Sequence, residues 1–245
     1  MEQHIEKARE IESSVNKKYI EIREEAAREI SLAKTDTDLS PEGRRKKAQK
    51  LREKYALKTI EFAKEIKKEF QSEVSKAQAE SEKLLKKEAK KPNDENLRQF
   101  ESQLNDLKTR LMLSTDPGKS EKQLAQFVDG IKDEPYFAGR LKEEFSSVIN
   151  PILSSAPDSQ STLKLKKSLD NTFDYINNQS LSHEQREAKE INELSKQLYE
   201  SKLFSPVALT NAEELFGKEF TGYLNDPDSL PEDVVIDAET GRMGV

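Results

Sequence analysis

The chain has 245 residues, of which 33% are apolar and 36% are charged, and its formal net charge is −6. This composition is too polar for a thick globular core, yet the periodic Leu, Ile, Val and Phe and the modest net charge are not those of a disordered chain. The sequence contains no cysteine, which excludes disulfides and thiolate metal sites.

The N-terminal residues have neither the basic nor the apolar region of a signal peptide. No stretch approaches the roughly 18 consecutive apolar residues that a membrane helix needs. We therefore expect a cytoplasmic protein that has no membrane partner.

The first predicted helix covers residues 2–34. Its apolar side chains recur every three or four positions, from Ile5 to Ala33. Residues 35–38, Thr-Asp-Thr-Asp, then interrupt the pattern with residue types that favour turns. A second helix restarts with Ser40 as N-cap and Pro41 at the first helical position. Because only a short turn joins the two helices, we expect an antiparallel hairpin.

The second predicted helix, residues 41–91, would be about 75 Å long. Its apolar and small residues form one narrow seam, which requires a partner helix as in a coiled coil. The first helix is too short to cover the whole seam, so we expect the later part to project beyond it. The sequence therefore predicts a homo-oligomer with a self-association seam formed by Phe70, Val74, Ala77 and Leu84.

The hairpin combines Tyr19 and Leu32 on the first helix with Leu-Ser-Pro-Glu-Gly at residues 39–43, and with Leu51 and Tyr55 on the second. Over about forty residues it resembles small charged helical proteins encoded among the head-morphogenesis genes of phages of Gram-positive bacteria. The resemblance implies a morphogenesis or minor virion role, such as scaffolding. It also implies a location in the host cytoplasm or the virion.

Residues 92–224 are predicted to form a smaller helical bundle. Pro92 ends the arm, and helices follow over residues 94–113 and 121–153, with three shorter ones after them. The segment 121–153 is the most apolar of the chain and is the best candidate for a compact core.

The turn at residues 114–120 contains Gly-Lys-Ser, which invites comparison with a phosphate-binding loop. That motif needs a glycine five residues before its second glycine and a strand before the loop. Here Leu113 occupies the glycine position and the preceding segment is predicted to be helical. We therefore expect no nucleotide site at this turn.

Residues 225–245 form an acidic, non-helical tail. The run Val234, Val235 and Ile236 is flanked by acidic residues. The tail is interpreted either as a small β-hairpin, as a frayed terminus or as a hook that orders against a partner. In the last case these three apolar residues are the predicted partner-binding residues.

Charge is uneven along the chain. Residues 1–91 carry 24 basic and 19 acidic residues, whereas the remainder carries 17 and 28. The basic run Arg44, Arg45, Lys46 and Lys47 is a candidate for phosphate contacts with nucleic acid. The alternatives are a solvated coiled-coil face with paired Glu and Lys, or head-to-tail attraction between the arm and the acidic region in an assembly.

Catalytic residue patterns are sparse. The two histidines, His4 and His183, are expected to be solvated, and no carboxylate pair stands out in an apolar setting. No serine lies in a nucleophile-elbow motif. We therefore predict a protein that is not an enzyme and that uses no cofactor and no metal.

The leading functional hypothesis is a structural or assembly protein acting by protein–protein interaction, of the phage scaffolding or minor head type. It would self-associate through the arm and contact another protein through its C-terminal region. One alternative is a binding module that sequesters or inhibits a host protein, as an antagonist or adaptor. A second alternative is a helical protein that binds nucleic acid.

Overall fold

The computed structural model describes residues 1–231 and two short strands beyond them, and it confirms the predicted all-α class. Nine α-helices occur in the described ranges. They are α1 (Glu2–Thr35), α2 (Pro41–Leu85), α3 (Asp94–Leu113), α4 (Pro117–Gly130), α5 (Pro135–Ser154), α6 (Ser159–Gln179), α7 (His183–Tyr199), α8 (Pro206–Phe216) and α9 (Lys218–Thr221).

The chain divides into two units. The hairpin unit consists of Met1–Glu80 and Ile191–Val245, and the bundle unit consists of Ser81–Glu190. These limits differ from the predicted boundaries at residues 91 and 224. The reason is that the apolar side chains of residues 203–224 share a core with α1 and α2, so the end of the chain belongs with its beginning.

The antiparallel hairpin of α1 and α2 is found as predicted. Lys58 Nζ lies 2.7 Å from Glu25 Oε2, and Lys47 Nζ lies 2.9 Å from Asp36 Oδ2. Ser40 caps α2 by accepting a hydrogen bond from the Gly43 N–H at 3.1 Å. These contacts fix the turn end of the hairpin.

The predicted self-association seam is corrected by the structure. Phe70, Val74 and Ala77 are buried within the hairpin unit, and Leu84 is half-buried. Within the hairpin unit α2 does not project beyond α1. The start of α1 reaches Glu80, the last α2 residue of this unit, whose carboxylate pairs with the Met1 amino group. These side chains are therefore not an exposed assembly surface.

The C-terminal half of the hairpin unit supplies the partner that the seam of α2 requires. Phe204 packs edge-to-face against Tyr19 and Phe62, with ring centroids 5.8 and 6.3 Å away. The Tyr19 hydroxyl donates to the Ala208 carbonyl at 3.1 Å. The buried face of α2 is thus covered by the same chain.

In the bundle unit, the end of α2 is fixed by Gln185. Its Nε2 donates to the carbonyl oxygens of Leu84, Leu85 and Lys87, the last at 2.7 Å. The last carbonyls of a helix lack partners within the helix, so this side chain caps the last carbonyls of α2 and also that of Lys87 just beyond its end. Gln185 also forms the predicted capping box with Ser182.

The core of the bundle unit is centred on α5, as the apolar pattern predicts. Leu141, Val148 and Ile152 are fully buried. Phe100 of α3 stacks on Phe137 of α5 with ring centroids 4.5 Å apart. The unit therefore has its own apolar core, built from α3 to α6.

The predicted tail, residues 225–245, contains a 3₁₀ turn at Pro227–Ser229 and two strands. Strand β1 (Val235–Ile236) pairs antiparallel with β2 (Met243–Gly244). Val234 lies outside the described residues, and for Val235 and Ile236 only the strand pairing is described. The backbone pairing matches the small hairpin that was one interpretation of the tail.

Candidate functional site

The candidate site lies in the bundle unit, at the corner where α3 ends and α4 begins. The Ser114 N–H donates to the Leu111 carbonyl at 3.3 Å and closes α3. Asp116 caps α4, with Oδ1 accepting from the N–H groups of Gly118 at 2.9 Å and Lys119 at 3.2 Å. These hydrogen bonds hold the corner in one conformation.

Ser120 closes the corner from inside. Its hydroxyl is buried and lies 2.8 Å from Ser114 Oγ and 3.0 Å from the Asp116 carbonyl. The element before Gly-Lys-Ser is the helix α3 and not a strand. The N–H groups of Gly118 and Lys119, at the start of α4, already donate to the Asp116 side chain. The geometry is therefore that of a capped helix start and not of a phosphate-binding loop.

Two consecutive apolar side chains project from this corner. Met112 is 74% exposed and Leu113 is 79% exposed, whereas Leu111 beside them is 1% exposed. Successive helical residues point about 100° apart, so burying Leu111 turns the next two away from the core. Their adjacent exposure forms a small apolar patch on the surface of the bundle unit.

A groove of about 610 Å³ adjoins Leu113. Two basic side chains, Arg110 and Lys119, line it together with Asp116 and Gln123. The Gln123 Oε1 atom is buried and has no hydrogen-bond partner among the described residues. One apolar side chain and two cations therefore line the groove with a single carboxylate, which matches a peptide that carries an apolar side chain beside carboxylates.

This corner was not among the predicted site residues, although the sequence holds a signal for it. Leu111, Met112 and Leu113 are three consecutive apolar residues on a helix whose buried positions otherwise recur every three or four residues. A single narrow face can bury at most two of three consecutive residues, so at least one of these three must be exposed. The excess apolar residues could therefore have been identified as exposed.

The predicted phosphate contacts all lie in the hairpin unit, and two of them already have acidic partners. Arg45 binds both carboxylate oxygens of Glu42, at 3.1 and 2.9 Å. Lys47 pairs with Asp36. Arg44 and Arg45 line a groove near the turn, whereas Lys46 and Lys47 do not.

The two histidines differ in their surroundings. His183 is exposed as expected and lies 3.2 Å from Glu187. His4 was also expected to be solvated, but it is half-buried and its Nδ1 contacts Glu73. Hydrogen bonds from Lys76 and His4 lower the pKa of Glu73 to about 2. The hydrogen bond between His4 and Glu73 joins the start of α1 to α2.

Among the described residues, no group of three His, Asp or Glu is arranged to hold a metal. No α-helix in the described ranges combines the length and apolar character that crossing a bilayer requires. No protein-family model, curated protein or solved structure matches the chain. Geometry and chemistry are therefore the basis for the proposed function.

Proposed function

We propose that this chain is a non-catalytic assembly protein that self-associates head to tail. In this arrangement the tail segment 232–237 of one copy binds the α3–α4 corner of the next copy. The observation that carries the proposal is the adjacent exposure of Met112 and Leu113 beside a groove lined by Arg110 and Lys119.

The tail segment has the matching chemistry. Its sequence is Glu-Asp-Val-Val-Ile-Asp, so three apolar residues lie between carboxylates. The apolar run suits Met112 and Leu113, and the flanking carboxylates suit the cations of the groove.

A contact between two different surfaces of the same chain has a consequence for assembly. Such heterologous contacts form closed rings or open filaments and not simple two-fold dimers. The phage scaffolding or minor head role implied by the resemblance of the hairpin is the concrete form of this proposal. In this proposal the self-association surfaces are the α3–α4 corner and the tail segment, and not the buried seam of α2.

Light scattering during size exclusion tests the proposal over a range of protein concentrations. We expect the mass of the wild type to rise above 28.0 kDa with concentration. Leu113→Asp and a chain lacking residues 232–245 should both stay monomeric. Leu163→Asp is the matched control, because Leu163 is 68% exposed on α6 and does not line the groove.

Binding of a labelled peptide of residues 230–239 tests the contact between tail and corner without requiring the chain to assemble. It should bind the truncated chain and its Leu163→Asp variant, and it should fail to bind the Leu113→Asp variant. A wild type of 28.0 kDa at every concentration, together with no peptide binding, would overturn self-association. The interpretation as a binding module for a different protein would then replace it.

A further inference from the structure

We propose that the turn end of the hairpin unit contains a binding site for the phosphate group of a small molecule. The site is the groove between the last turn of α1 and the first three turns of α2, with a volume of about 350 Å³. Four basic side chains line it, namely Lys34, Arg44, Arg45 and Arg52. This site is independent of the α3–α4 corner and of the proposed self-association.

The groove concentrates positive charge, and among the described residues only Arg45 of its four cations has an ion pair, with Glu42. None of its lining residues is acidic. Lys34, Arg44 and Arg52 have no ion pair with a described residue, and the nearest pairs are Arg45 with Glu42 and Lys47 with Asp36. The pKa of Asp36 is lowered mainly by Lys47 and in small part by Arg44, but Arg44 forms no ion pair, so three of the four cations remain available to bind an anion.

Arg52 gives a second, separate indication. Its Nε atom is buried and has no hydrogen-bond partner among the described residues. A buried donor without a partner is unfavourable, so a movement of the Arg52 side chain that brings this nitrogen to an oxyanion in the groove would remove that cost. The guanidinium fork of arginine also matches the oxygen spacing of phosphate.

Three of the four cations, Arg44, Arg45 and Arg52, reach the groove because they lie on one face of α2. Residues 41, 44, 45, 48, 49 and 52 of α2 recur every three or four positions and share one face. Lys34 approaches from the last turn of α1. The α2 N-terminus is already capped by Ser40, so the site consists of side chains and not of the helix end.

The size and lining of the groove distinguish a small phosphorylated molecule from nucleic acid as the ligand. It can hold a phosphate or a phosphomonoester, whereas a duplex would contact the exposed run including Lys46 and Lys47 as well. Lys46 and Lys47 do not line the groove. The site therefore favours a small phosphorylated ligand over nucleic acid.

Calorimetric titration of the full chain with inorganic phosphate and with glycerol 3-phosphate tests the site. We expect saturable binding, weakened about tenfold by Arg52→Gln because one charge-assisted contact is lost. Arg52→Lys should have an intermediate effect, since it keeps the charge but loses the fork. Tighter binding of glycerol 3-phosphate would assign a phosphomonoester, and equal binding would assign the free ion.

Lys46→Gln is the matched control. It removes the same charge from an exposed position of α2 that does not line the groove. Its affinity for phosphate should stay close to that of the wild type. Equal losses of phosphate affinity in Lys46→Gln and Arg52→Gln would overturn the site, as would the absence of saturation with either ligand. Binding of duplex DNA without binding of phosphate would also overturn it. Circular dichroism confirms that each variant is folded.

Discussion

Asn225 pairs with both backbone groups of Phe204: its Oδ1 accepts from the Phe204 N–H at 2.9 Å, and its Nδ2 donates to the Phe204 carbonyl at 3.0 Å. The two residues are 21 positions apart, and between them lie α8 and α9. This pair therefore closes the segment whose apolar side chains cover α1 and α2.

Replacement of Asn225 should loosen this closure. Asn225→Ala removes both partners and should lower the free energy of unfolding by about 2 kcal/mol. Asn225→Asp keeps the acceptor but loses the donor, so it should also destabilise the protein. Urea unfolding followed by circular dichroism measures both. Asn16→Ala, exposed on α1, is the control and should change stability by less than about 0.5 kcal/mol.

Gln185→Ala should fray the end of α2. It removes one donor to three carbonyls and one half of the capping box with Ser182. We expect a loss of about 1 to 2 kcal/mol in stability and faster amide hydrogen exchange near residue 85. Gln99→Ala, exposed on α3, should leave that exchange unchanged. Unchanged exchange in Gln185→Ala would show that α2 ends for another reason.

The end of α2 also shows how far the sequence can predict this fold. Ser40 and Pro41 lie beside the helix start that they determine, so the beginning of α2 was predicted correctly. Its end was predicted at residue 91 but occurs at Leu85, where the last carbonyls accept from Gln185, a residue about a hundred positions later. Local spacing contains no information about such a partner.

The same distinction applies to the functional predictions. The apolar seam of α2 was identified correctly, but its partner was assigned to a second molecule because Phe204 and the helices after it are remote in sequence. The charge of Arg44 and Arg45 was also identified, yet only the fold brings Lys34 and Arg52 beside them. Sequence periodicity predicts which face of a helix is apolar or charged, but it does not predict which other helix packs against that face.

Acid should weaken the joint between α1 and α2 at Glu73. Lys76 and His4 lower its pKa to about 2 from an ordinary value of 4.5. A lowered folded-state pKa means that the stabilisation is present above pH 4.5 and is lost as the pH falls towards 2. Urea unfolding between neutral and acid pH should show a smaller loss of stability in Glu73→Gln. Glu101→Gln, exposed on α3, is the control for removal of a carboxylate.

Alkaline pH should act through Tyr55. Burial, and then hydrogen bonds from its hydroxyl to Glu29 and Glu25, raise the pKa of Tyr55 well above its usual 10.0. A raised folded-state pKa means that the stabilisation is fully present below pH 10.0 and is lost as the pH rises through the folded value. We therefore expect the free energy of unfolding of the wild type to fall as the pH rises above 10.0, and the fall to be smaller in Tyr55→Phe.

Tyr55→Phe should cost about 1 kcal/mol at neutral pH, because the single hydroxyl proton that Glu29 and Glu25 share is lost. Tyr175→Phe is the matched control, since Tyr175 is an exposed tyrosine of α6. Urea unfolding at neutral and alkaline pH, with tyrosinate absorbance followed in parallel, measures both effects. If the alkaline loss of stability were the same in Tyr55→Phe as in Tyr175→Phe, a different group would control the alkaline transition.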